Sequence, residues 1–281
     1  MKLQNSLTNY LSIDVEDYFQ VSAFENVVGS HTNWQNYSSR VEKNTRRLLD
    51  ILDTHTTKAT FFVLGWIAEK FPRLVREIEK RGHDIACHSY IHRLVYNLTP
   101  EQFYEDTRKT KDLLEQATGR KVFGYRAPSF SITNKSLWAF DILEELGFTF
   151  DSSIFPIYHD RYGIPSAPRF RYCIEGKKII EYPISTALIL GRKIPVAGGG
   201  YFRLLPYRFT KAALTKINVV EKKPFVFYLH PWEIDPKQPH INNISLLSRF
   251  RHYNNLKKTA CRFEQLLKDF RFAPMDADIG A

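Results

Sequence analysis

Residues 59–86 read ATFFVLGWIAEKFPRLVREIEKRGHDIA, and this stretch predicts a strand, a helix and a second strand. Residues 59–64 form a short apolar run of the kind found in buried strands. Proline is favoured in the first turn of a helix and glycine just after the last turn, so a helix is predicted between Pro72 and Gly82. Residues 84–86 then form a short strand. Such a unit is typical of neighbouring parallel strands.

The same alternation continues along most of the 281 residues. Further strands are predicted at residues 10–13, 122–125, 148–150, 179–182 and 225–229, and further helices at residues 133–146, 207–219 and 259–270. Residues 154–172 are rich in proline and aromatic residues and predict a long loop, which in a compact domain is more often functional than idle. The order predicts a one-domain α/β fold whose parallel sheet is closed, or nearly closed, into a barrel.

Two other helices are predicted from the spacing of residues at their first turn. Ser39 stands three residues before Glu42, and Thr99 three residues before Gln102. In such a pair each side chain accepts a hydrogen bond from the backbone N–H of the other residue. Both positions therefore predict the beginning of a helix.

The chain is basic, with 40 Lys and Arg against 30 Asp and Glu and a net charge of +10. A basic surface can attract nucleic acid, anionic lipid or an acidic glycan. Here the charges are scattered as single residues or doublets such as Lys257-Lys258, and the sequence contains no arginine-rich arm or zinc-finger spacing. We therefore expect no nucleic-acid partner and only a weak bias toward anionic partners.

Cysteine content and hydropathy bear on the compartment. The three cysteines, Cys87, Cys173 and Cys261, are odd in number and far apart, which favours a reducing compartment over a disulfide framework. Residues 1–6 lack the apolar stretch of a signal peptide, and no run approaches the ~18 apolar residues of a membrane span. We expect a cytoplasmic protein with no transmembrane segment. The sequence does not indicate the oligomeric state.

Residue types suited to metal binding and acid–base catalysis follow the predicted strands. In a parallel barrel the strand ends share one rim, where catalytic side chains gather. The segments concerned are residues 14–17 (DVED), 88–92 (HSYIH), 126–129 (RAPS), 151–153 (DSS) and 230–233 (HPWE). Their concentration at one rim predicts an active site.

Histidines and carboxylates in two of these segments suggest a metal site. His88 and His92 are four residues apart, so on a helical turn both imidazoles would face one metal ion, although a hydrogen-bonded surface pair has the same spacing. Alternation along a strand sends Asp14 and Glu16 to one side and Asp17 to the other. We therefore expect Asp14 and Glu16 in the site and Asp17 as a structural acid.

Three further residues are candidates for catalysis. Arg126 is either a surface arginine or the partner that keeps a catalytic carboxylate ionised and oriented. His230 ends a strongly apolar strand, where it is either a buried neutral histidine or a general acid. Asp151 could raise the pKa of His230 in the second case.

These segments, in this order, resemble the five motifs of the polysaccharide deacetylase (NodB-homology) family. The matching motifs are residues 12–17 (SIDVED), 88–92 (HSYIH), 126–128 (RAP), 151–153 (DSS) and 229–231 (LHP), with support from residues 58–65 and 81–86. Residues 15–21 (VEDYFQV) and 195–202 (PVAGGGYF) further resemble the branch found beside bacterial exosortase and exopolysaccharide gene clusters. The resemblance spans about residues 11–233, most of the chain.

The resemblance implies a distorted (β/α) barrel with about seven parallel strands. It implies a single catalytic domain over residues 1–281, with a C-terminal helical extension beyond the motifs. One carboxylate and two histidines would hold a divalent metal, zinc in the first place and otherwise cobalt, manganese, iron or nickel. Many members carry adjacent aspartates in the first motif, whereas Val15 separates the acids here. As in members with an Asp-x-Asp or Asp-x-Glu arrangement, we assign Asp14 as base and Glu16 as metal ligand, with Asp17 as the alternative carboxylate.

The same resemblance implies hydrolysis of N-acetyl groups on an N-acetylhexosamine-containing glycan or its precursor. The residues implied are the metal ligands Glu16, His88 and His92, the base Asp14 with its partner Arg126, the oxyanion donor Ser129 through its backbone N–H, and the acid His230 with its partner Asp151. Each residue type suits its role in the hydrolysis of an amide.

Three other functions remain open. An allantoinase-like amidohydrolase would act on a small cyclic or linear amide and would have a closed pocket without a glycan groove. A catalytically inactive glycan-binding protein would have lost a ligand or the general acid, and neither is missing here. A nucleic-acid binder is suggested by charge alone and would bind duplex DNA in a salt-sensitive way.

Overall fold

The computed structural model describes residues 7–275 as an α/β fold built around one large sheet. The strands are β1 (Thr8–Val15), β2 (Thr60–Val63), β3 (Asp84–Cys87), β4 (Gly124–Tyr125), β5 (Phe150–Asp151), β6 (Tyr172–Cys173), β7 (Ile180–Glu181), β8 (Thr186–Ile189), β9 (Arg192–Pro195), β10 (Val226–Leu229) and β11 (Arg271–Ala273). The α-helices are α1 (Glu25–Val28), α2 (Val41–Thr54), α3 (Gly65–Lys70), α4 (Pro72–Lys80), α5 (Pro100–Thr118), α6 (Ala139–Glu145), α7 (Gly199–Leu204), α8 (Tyr207–Val219), α9 (Leu246–Tyr253) and α10 (Leu256–Asp269). Short 3₁₀ turns lie at Ser22–Phe24, His31–Asn36, Val95–Asn97, Pro128–Phe130 and Pro231–Ile234.

Seven parallel strands make up most of the sheet, in the order β10-β1-β2-β3-β4-β5-β7. β6 extends it antiparallel to β7, and β11 pairs in parallel with the first residues of β1. Within residues 7–275 no strand pairing joins β6 or β7 to β10, so the sheet curls without closing. The expected α/β fold with about seven parallel strands is confirmed, and its barrel is open on one side.

The apolar character of the central strands follows from burial on both faces of the sheet. Every residue of β2 is buried, and β1 is buried from Asn9 onward. α4 begins at Pro72, as predicted, and buries Leu74, Val75 and Ile78 on one side, where the helix contacts β3 and α5. Since the strands run parallel, their carboxyl ends lie at one edge of the sheet.

The two predicted capping boxes differ in outcome. At α5 the box is present: Thr99 Oγ1 accepts a hydrogen bond from Gln102 N, and Gln102 Oε1 accepts one from Thr99 N, each at 3.2 Å. At α2 the prediction was wrong, because the Ser39 hydroxyl donates instead to Asp17 Oδ2 at 2.7 Å. α2 still begins at Val41, close to the predicted position.

Residues after Asp151 belong to the same sheet through β7 and β10. No helix or strand lies between β5 and β6, so the long loop predicted there is confirmed. The helix predicted at 133–146 is shorter, and the β8–β9 hairpin, α7 and α9 were not predicted. The segment after residue 233 contains α9 and α10, and it also contains β11, which returns to β1.

Two further findings concern the compartment. Among the helices within residues 7–275, none is both long and apolar enough to cross a membrane. Cys87, Cys173 and Cys261 are free thiols. The cytoplasmic location stays a prediction.

Candidate active site

Glu16, His88 and His92 converge at the carboxyl ends of β1 and β3. One ligand atom from each lies within 4.8 Å of the other two. Residues 88–92 are not helical: Ser89 and His92 have φ angles of 65° and 57°, so the segment is a sharply bent loop. The predicted convergence of the histidines is present, but the helical turn proposed to explain it was wrong.

Neighbouring groups fix the orientation of both imidazoles. His88 Nδ1 donates to the backbone oxygen of Arg126 at 2.8 Å, which leaves Nε2 as its free nitrogen. His92 Nδ1 lies 3.3 Å from Ser22 Oγ, and its Nε2 lies 2.9 Å from Glu16 Oε2. A second bond to one ring nitrogen is how proteins orient metal-ligating histidines.

The protonation states of His88 and Glu16 suit the binding of a metal cation. Burial lowers the pKa of His88 to about 4, so its ring is neutral at pH 7. Burial alone would raise the pKa of Glu16, but the neighbouring histidines, above all His92, outweigh it and hold that pKa well below its ordinary value. Trp232 Nε1 donates to Glu16 Oε1 at 3.1 Å. Neutral imidazole and ionised carboxylate are the forms that bind metal ions.

Asp14, at the end of β1, pairs with a buried arginine. Arg126 Nη1 donates to Asp14 Oδ1 at 2.6 Å and to Ser12 Oγ at 2.8 Å. Its Nε and Nη2 donate to the backbone oxygen and hydroxyl of Ser152, and its guanidinium lies 4.1 Å from the centre of the Phe62 ring. Arg126 has no solvent exposure, which excludes the surface role considered from the sequence. Asp14 is thus held by a rigid, fully partnered cation.

His230 follows β10 and faces the same cluster. Its Nε2 lies 3.5 Å from Glu16 Oε1 and 3.8 Å from Asp14 Oδ2. Its Nδ1 lies 2.6 Å from Glu233 Oε1, which also accepts a hydrogen bond from the His230 backbone N–H at 3.1 Å. Burial alone would lower the pKa of His230, but these carboxylates outweigh it and raise the pKa to about 9. The imidazole is therefore cationic near neutral pH.

Glu233 was not assigned a role from the sequence. It is fully buried, and its second oxygen accepts a hydrogen bond from Arg203 Nε at 2.6 Å. Arg203 is also buried and donates to the backbone oxygen of His252 at 2.6 Å. The available signal was the spacing: Pro231 begins a turn after His230, and the third residue of a turn, here Glu233, can reach back to the residue that precedes the turn.

Asp151 does not pair with His230. Its carboxylate accepts hydrogen bonds from Ser153 N at 2.8 Å and Ser153 Oγ at 2.7 Å, and Asp151 is paired in the sheet with the buried Glu181 of β7. The predicted pairing of Asp151 with His230 was therefore wrong, and Glu233 occupies that position. Asp151 instead organises the loop that follows β5.

Asp17 lies outside the cluster, as its placement on the other side of the strand predicted. Its carboxylate accepts hydrogen bonds from Ser39 Oγ, from Arg40 N at 2.8 Å, from Val41 N at 3.2 Å and from Tyr18 N at 3.0 Å. These donors include the first free N–H groups of α2, where a carboxylate is favoured. The alternative that made Asp17 the metal carboxylate does not fit this placement.

Ser129 lies in a strained turn beside the cluster. Ser129 and Phe130 have φ angles of 51° and 54°, a conformation that costs energy and is concentrated at functional sites. The Ser129 hydroxyl lies 2.9 Å from Ser22 Oγ. Within residues 7–275 the Ser129 N–H makes no hydrogen bond, whereas Phe130 N–H bonds to the backbone oxygen of Ala127.

A cavity of about 360 Å³ opens onto all of these groups. One wall comes from the first half of the chain, and the other comes from later elements. The later residues at the cavity are His159, Arg161, Tyr162, Gly200, Tyr201, Leu204, Tyr228, His230, Trp232, Phe250, Arg251 and Asn254. Gly198, with φ of 122°, lets α7 approach β10, since a Cβ there would collide with the backbone oxygen of Tyr228. The glycine-rich segment is thus part of how the second wall is built.

Two family models match the chain one after the other. The model described as polysaccharide deacetylase matches residues 25–150, and one described as a domain of unknown function (DUF3473) matches residues 152–279. The first match contains His88, His92 and Arg126. The second contains His230.

Curated relatives and a solved structure are similar to this chain. It is 36% identical over 96 residues to the peptidoglycan-N-acetylglucosamine deacetylase of Bacillus cereus, covering 34% of this chain and 35% of that protein. It is 36% identical over 110 residues to a peptidoglycan deacetylase-like protein of Gibberella zeae, covering 38% of this chain and 32% of that protein. A crystal structure of a candidate polysaccharide deacetylase from Mycobacterium smegmatis has the same fold, with a TM-score of 0.60 and 20% identity. The alignment covers 95% of this chain and 87% of that one.

The match thus spans about a third of the length of these two curated relatives. The narrower resemblance to the exosortase-associated branch stays a prediction. The matched segment carries the histidines and the arginine around which the site is built, on a fold shared with a structural relative. This chain therefore carries a polysaccharide deacetylase domain, matched over residues 25–150, which is followed by the DUF3473 domain.

Proposed function

We propose that this protein is a metal-dependent hydrolase that removes N-acetyl groups from an N-acetylhexosamine-containing polysaccharide or its precursor. The observation that carries the proposal is the position of His230 Nε2, 3.8 Å from Asp14 Oδ2 and 3.5 Å from Glu16 Oε1. A candidate base, a candidate acid and a metal-type donor set therefore face one cavity. Hydrolysis of an unactivated amide needs all three, because water must lose a proton, the carbonyl must be polarised and the leaving amine must gain a proton.

Two imidazoles and one carboxylate fit a divalent cation such as zinc, and cobalt, manganese, iron and nickel accept the same donors. Held by Glu16, His88 and His92, the cation would polarise the acetyl carbonyl and make water more acidic. Two hydrogen bonds support this role, one from His88 Nδ1 to the backbone oxygen of Arg126 and one from Trp232 Nε1 to Glu16 Oε1. They fix the ligand side chains before a cation binds.

Asp14 is the general base in this mechanism. Arg126 holds its Oδ1, which leaves Oδ2 to accept the proton of the attacking water. Because Arg126 is buried and its other donors are taken by Ser12 and Ser152, the carboxylate cannot rotate away without breaking this network. Such preorganisation is a large part of catalysis in enclosed sites.

His230 is the general acid. Its neighbouring carboxylates, which include Glu233 and Asp14, raise its pKa, and Glu233 holds its Nδ1 so that Nε2 points to Asp14 and Glu16. Protonated Nε2 can give its proton to the leaving nitrogen. Glu233 is in turn held by Arg203, so a buried chain of charges keeps the imidazole in place.

The backbone N–H of Ser129 completes the proposed site. Left without a partner by the left-handed turn, it can donate to the oxyanion that develops as water adds to the carbonyl.

We further propose that the substrate belongs to exopolysaccharide biosynthesis and is met in the cytoplasm as a precursor, since a polymer outside the cell would not reach a cytoplasmic enzyme.

The test is release of acetate from a panel of N-acetylated oligosaccharides. Each reaction is run with chelator, without it, and with added zinc, cobalt or manganese, using wild type, Asp14→Asn, and Glu105→Gln as a control at an exposed acid on α5. We expect release by wild type and the control, and loss with chelator or with Asp14→Asn. Metal-replete wild-type protein that releases no acetate from any member of the panel would contradict the proposal.

A further inference from the structure

The second wall of the cavity carries two arginines that the proposed chemistry does not use. Arg161 lies in the long loop between β5 and β6, and Arg251 lies on α9. Both line the cavity that also contains Asp14 and Glu16. They are the only lysine or arginine side chains among the described residues that line it.

Neither guanidinium has a partner of opposite charge. Within the described part of the chain, no carboxylate lies within 4.0 Å of Arg161 or Arg251, whereas the buried Arg126 and Arg203 are both paired with acids. The acid next to Arg161 in the sequence is Asp160, and its Oδ1 lies 2.9 Å from His159 Nδ1. The two unpaired arginines are thus free to bind an anion.

The acids of the cavity do not cancel this charge. Asp14 is paired with Arg126, and Glu16 lies among histidines. The cavity therefore combines partnered carboxylates from the first half of the chain with unpaired cations from its later elements.

Packing holds the second wall in place. His159 stacks on Tyr162 with ring centres 3.8 Å apart and planes 8° apart, and Tyr162 stacks on Phe155. Burial raises the pKa of the Tyr162 and Tyr201 phenols, and the nearby charge of Arg251 counters part of that rise. Arg251 lines the same cavity as these two tyrosines.

We propose that Arg161 and Arg251 bind an anionic group, a phosphate or a carboxylate, on the same N-acetylated sugar whose acetamide meets Asp14 and His230. This inference rests on the proposed function and names its substrate class. The guanidinium group matches both anions, since its planar N–H groups donate two parallel hydrogen bonds to adjacent oxygens. The net charge of +10 would add a long-range attraction for such a substrate.

Three substrates of equal ring structure test it. They are the methyl glycoside of N-acetylglucosamine, which is neutral, N-acetylglucosamine 1-phosphate, and N-acetylmuramic acid, which carries a carboxylate. Acetate release is measured with wild type, Arg161→Gln and Arg251→Gln. Arg249→Gln is the matched control, because Arg249 is exposed on the same helix and does not line the cavity.

We expect kcat/KM to be at least about tenfold higher for one or both anionic substrates than for the neutral one, as one charge-assisted hydrogen bond provides. Each cavity variant should lose most of that preference, with a larger loss of kcat/KM on the anionic sugars than on the neutral one, and Arg249→Gln should keep it. Which anion is preferred tells phosphate from carboxylate. Raising the salt concentration should shrink the wild-type preference, because exposed charges are screened.

Equal kcat/KM for neutral and anionic substrates in wild type would overturn the inference while leaving the deacetylase proposal intact. Equal losses on all substrates in the two variants would do the same. Absence of acetate from all three substrates and from the oligosaccharide panel would overturn both proposals.

Discussion

Glu233 Oε1 lies 2.6 Å from His230 Nδ1, and both residues belong to the turn that follows β10. The same carboxylate oxygen accepts the His230 backbone N–H, so one side chain fixes both the ring and the main chain of the candidate acid. The other Glu233 oxygen is bound to Arg203. The carboxylate that orients His230 therefore comes from Glu233 in the same turn and not from Asp151 of β5.

This relationship separates two variants. His230→Ala should lower turnover of an N-acetyl sugar by about 10²–10⁴-fold, since a poor leaving group loses its proton donor. Glu233→Gln should lower it less, by about 10–100-fold, because the imidazole remains but is less well held. An activated acetyl ester, whose leaving group needs no proton, should be far less affected in both. Equal losses on amide and ester, with fold and metal content unchanged, would give His230 another role.

Metal binding is expected to depend on the two histidines. His88→Ala and His92→Ala should each abolish stoichiometric zinc while leaving the far-ultraviolet circular dichroism spectrum unchanged, because both residues lie in a loop at the rim of the sheet. His240→Ala, at an exposed histidine, is the control. Elemental analysis of metal-replete protein gives the answer. Equal metal content in wild type and both variants would exclude the site.

The three acids at the end of β1 should behave differently from one another. Asp14→Asn should keep the metal and lose activity, whereas Glu16→Gln should weaken metal binding itself. Asp17→Asn should keep the metal but lower the free energy of unfolding by about 1–3 kcal/mol, because its carboxylate accepts the N–H groups that begin α2. Urea unfolding and elemental analysis of the three variants distinguish these effects. Loss of metal in Asp17→Asn would reassign the ligand.

The buried Asp151–Glu181 pair predicts a pH-dependent stability. Burial, and then the neighbouring Asp151, raise the pKa of Glu181 well above its ordinary value of 4.5. An acid whose pKa is raised by folding binds more protons in the folded state. Its contribution to stability is therefore full below pH 4.5 and is lost as the pH rises through the higher value.

Glu181→Gln removes this titration and keeps the shape of the protonated acid. Relative to wild type, the variant should gain stability between pH 5 and pH 8, measured as the urea midpoint at each pH. Glu175→Gln, at an exposed acid a few residues earlier, should show no such change. A difference between wild type and Glu181→Gln that does not vary with pH would contradict the assignment.

Local patterns predicted the elements well and the partners of polar groups less well. Ser39 is followed three residues later by Glu42, and Thr99 by Gln102. Of the two, only Thr99 forms a capping box, because Asp17 lies close to Ser39 in space and accepts a hydrogen bond from its hydroxyl. Periodicity cannot report such a contact, which joins residues 22 positions apart. The same limit explains Asp151, whose neighbour Glu181 comes from β7.

The positions of the candidate ligands were predictable because parallel strands bring their carboxyl ends together. Asp14, Glu16, His88 and Arg126 all lie at the ends of strands that could be located from apolar runs. The backbone between His88 and His92 could not be located in this way, since nothing in the sequence indicates that Ser89 and His92 take positive φ. The part of the second wall that α7 and α9 supply was missed because these helices are short, with 6 and 8 residues.

The pairing of β1 with β10 has a consequence for how the chain reaches its native state. Tyr10 is paired with Val226 and Ile13 with Leu229, so the strand that carries Asp14 is completed by residues made more than two hundred positions later. Contacts so distant in sequence carry a large loop-closure entropy and form late. On the ribosome, β1 must therefore wait with one edge exposed until β10 emerges. A fragment ending at residue 150 would leave that edge open to pairing with another molecule, and we expect it to aggregate.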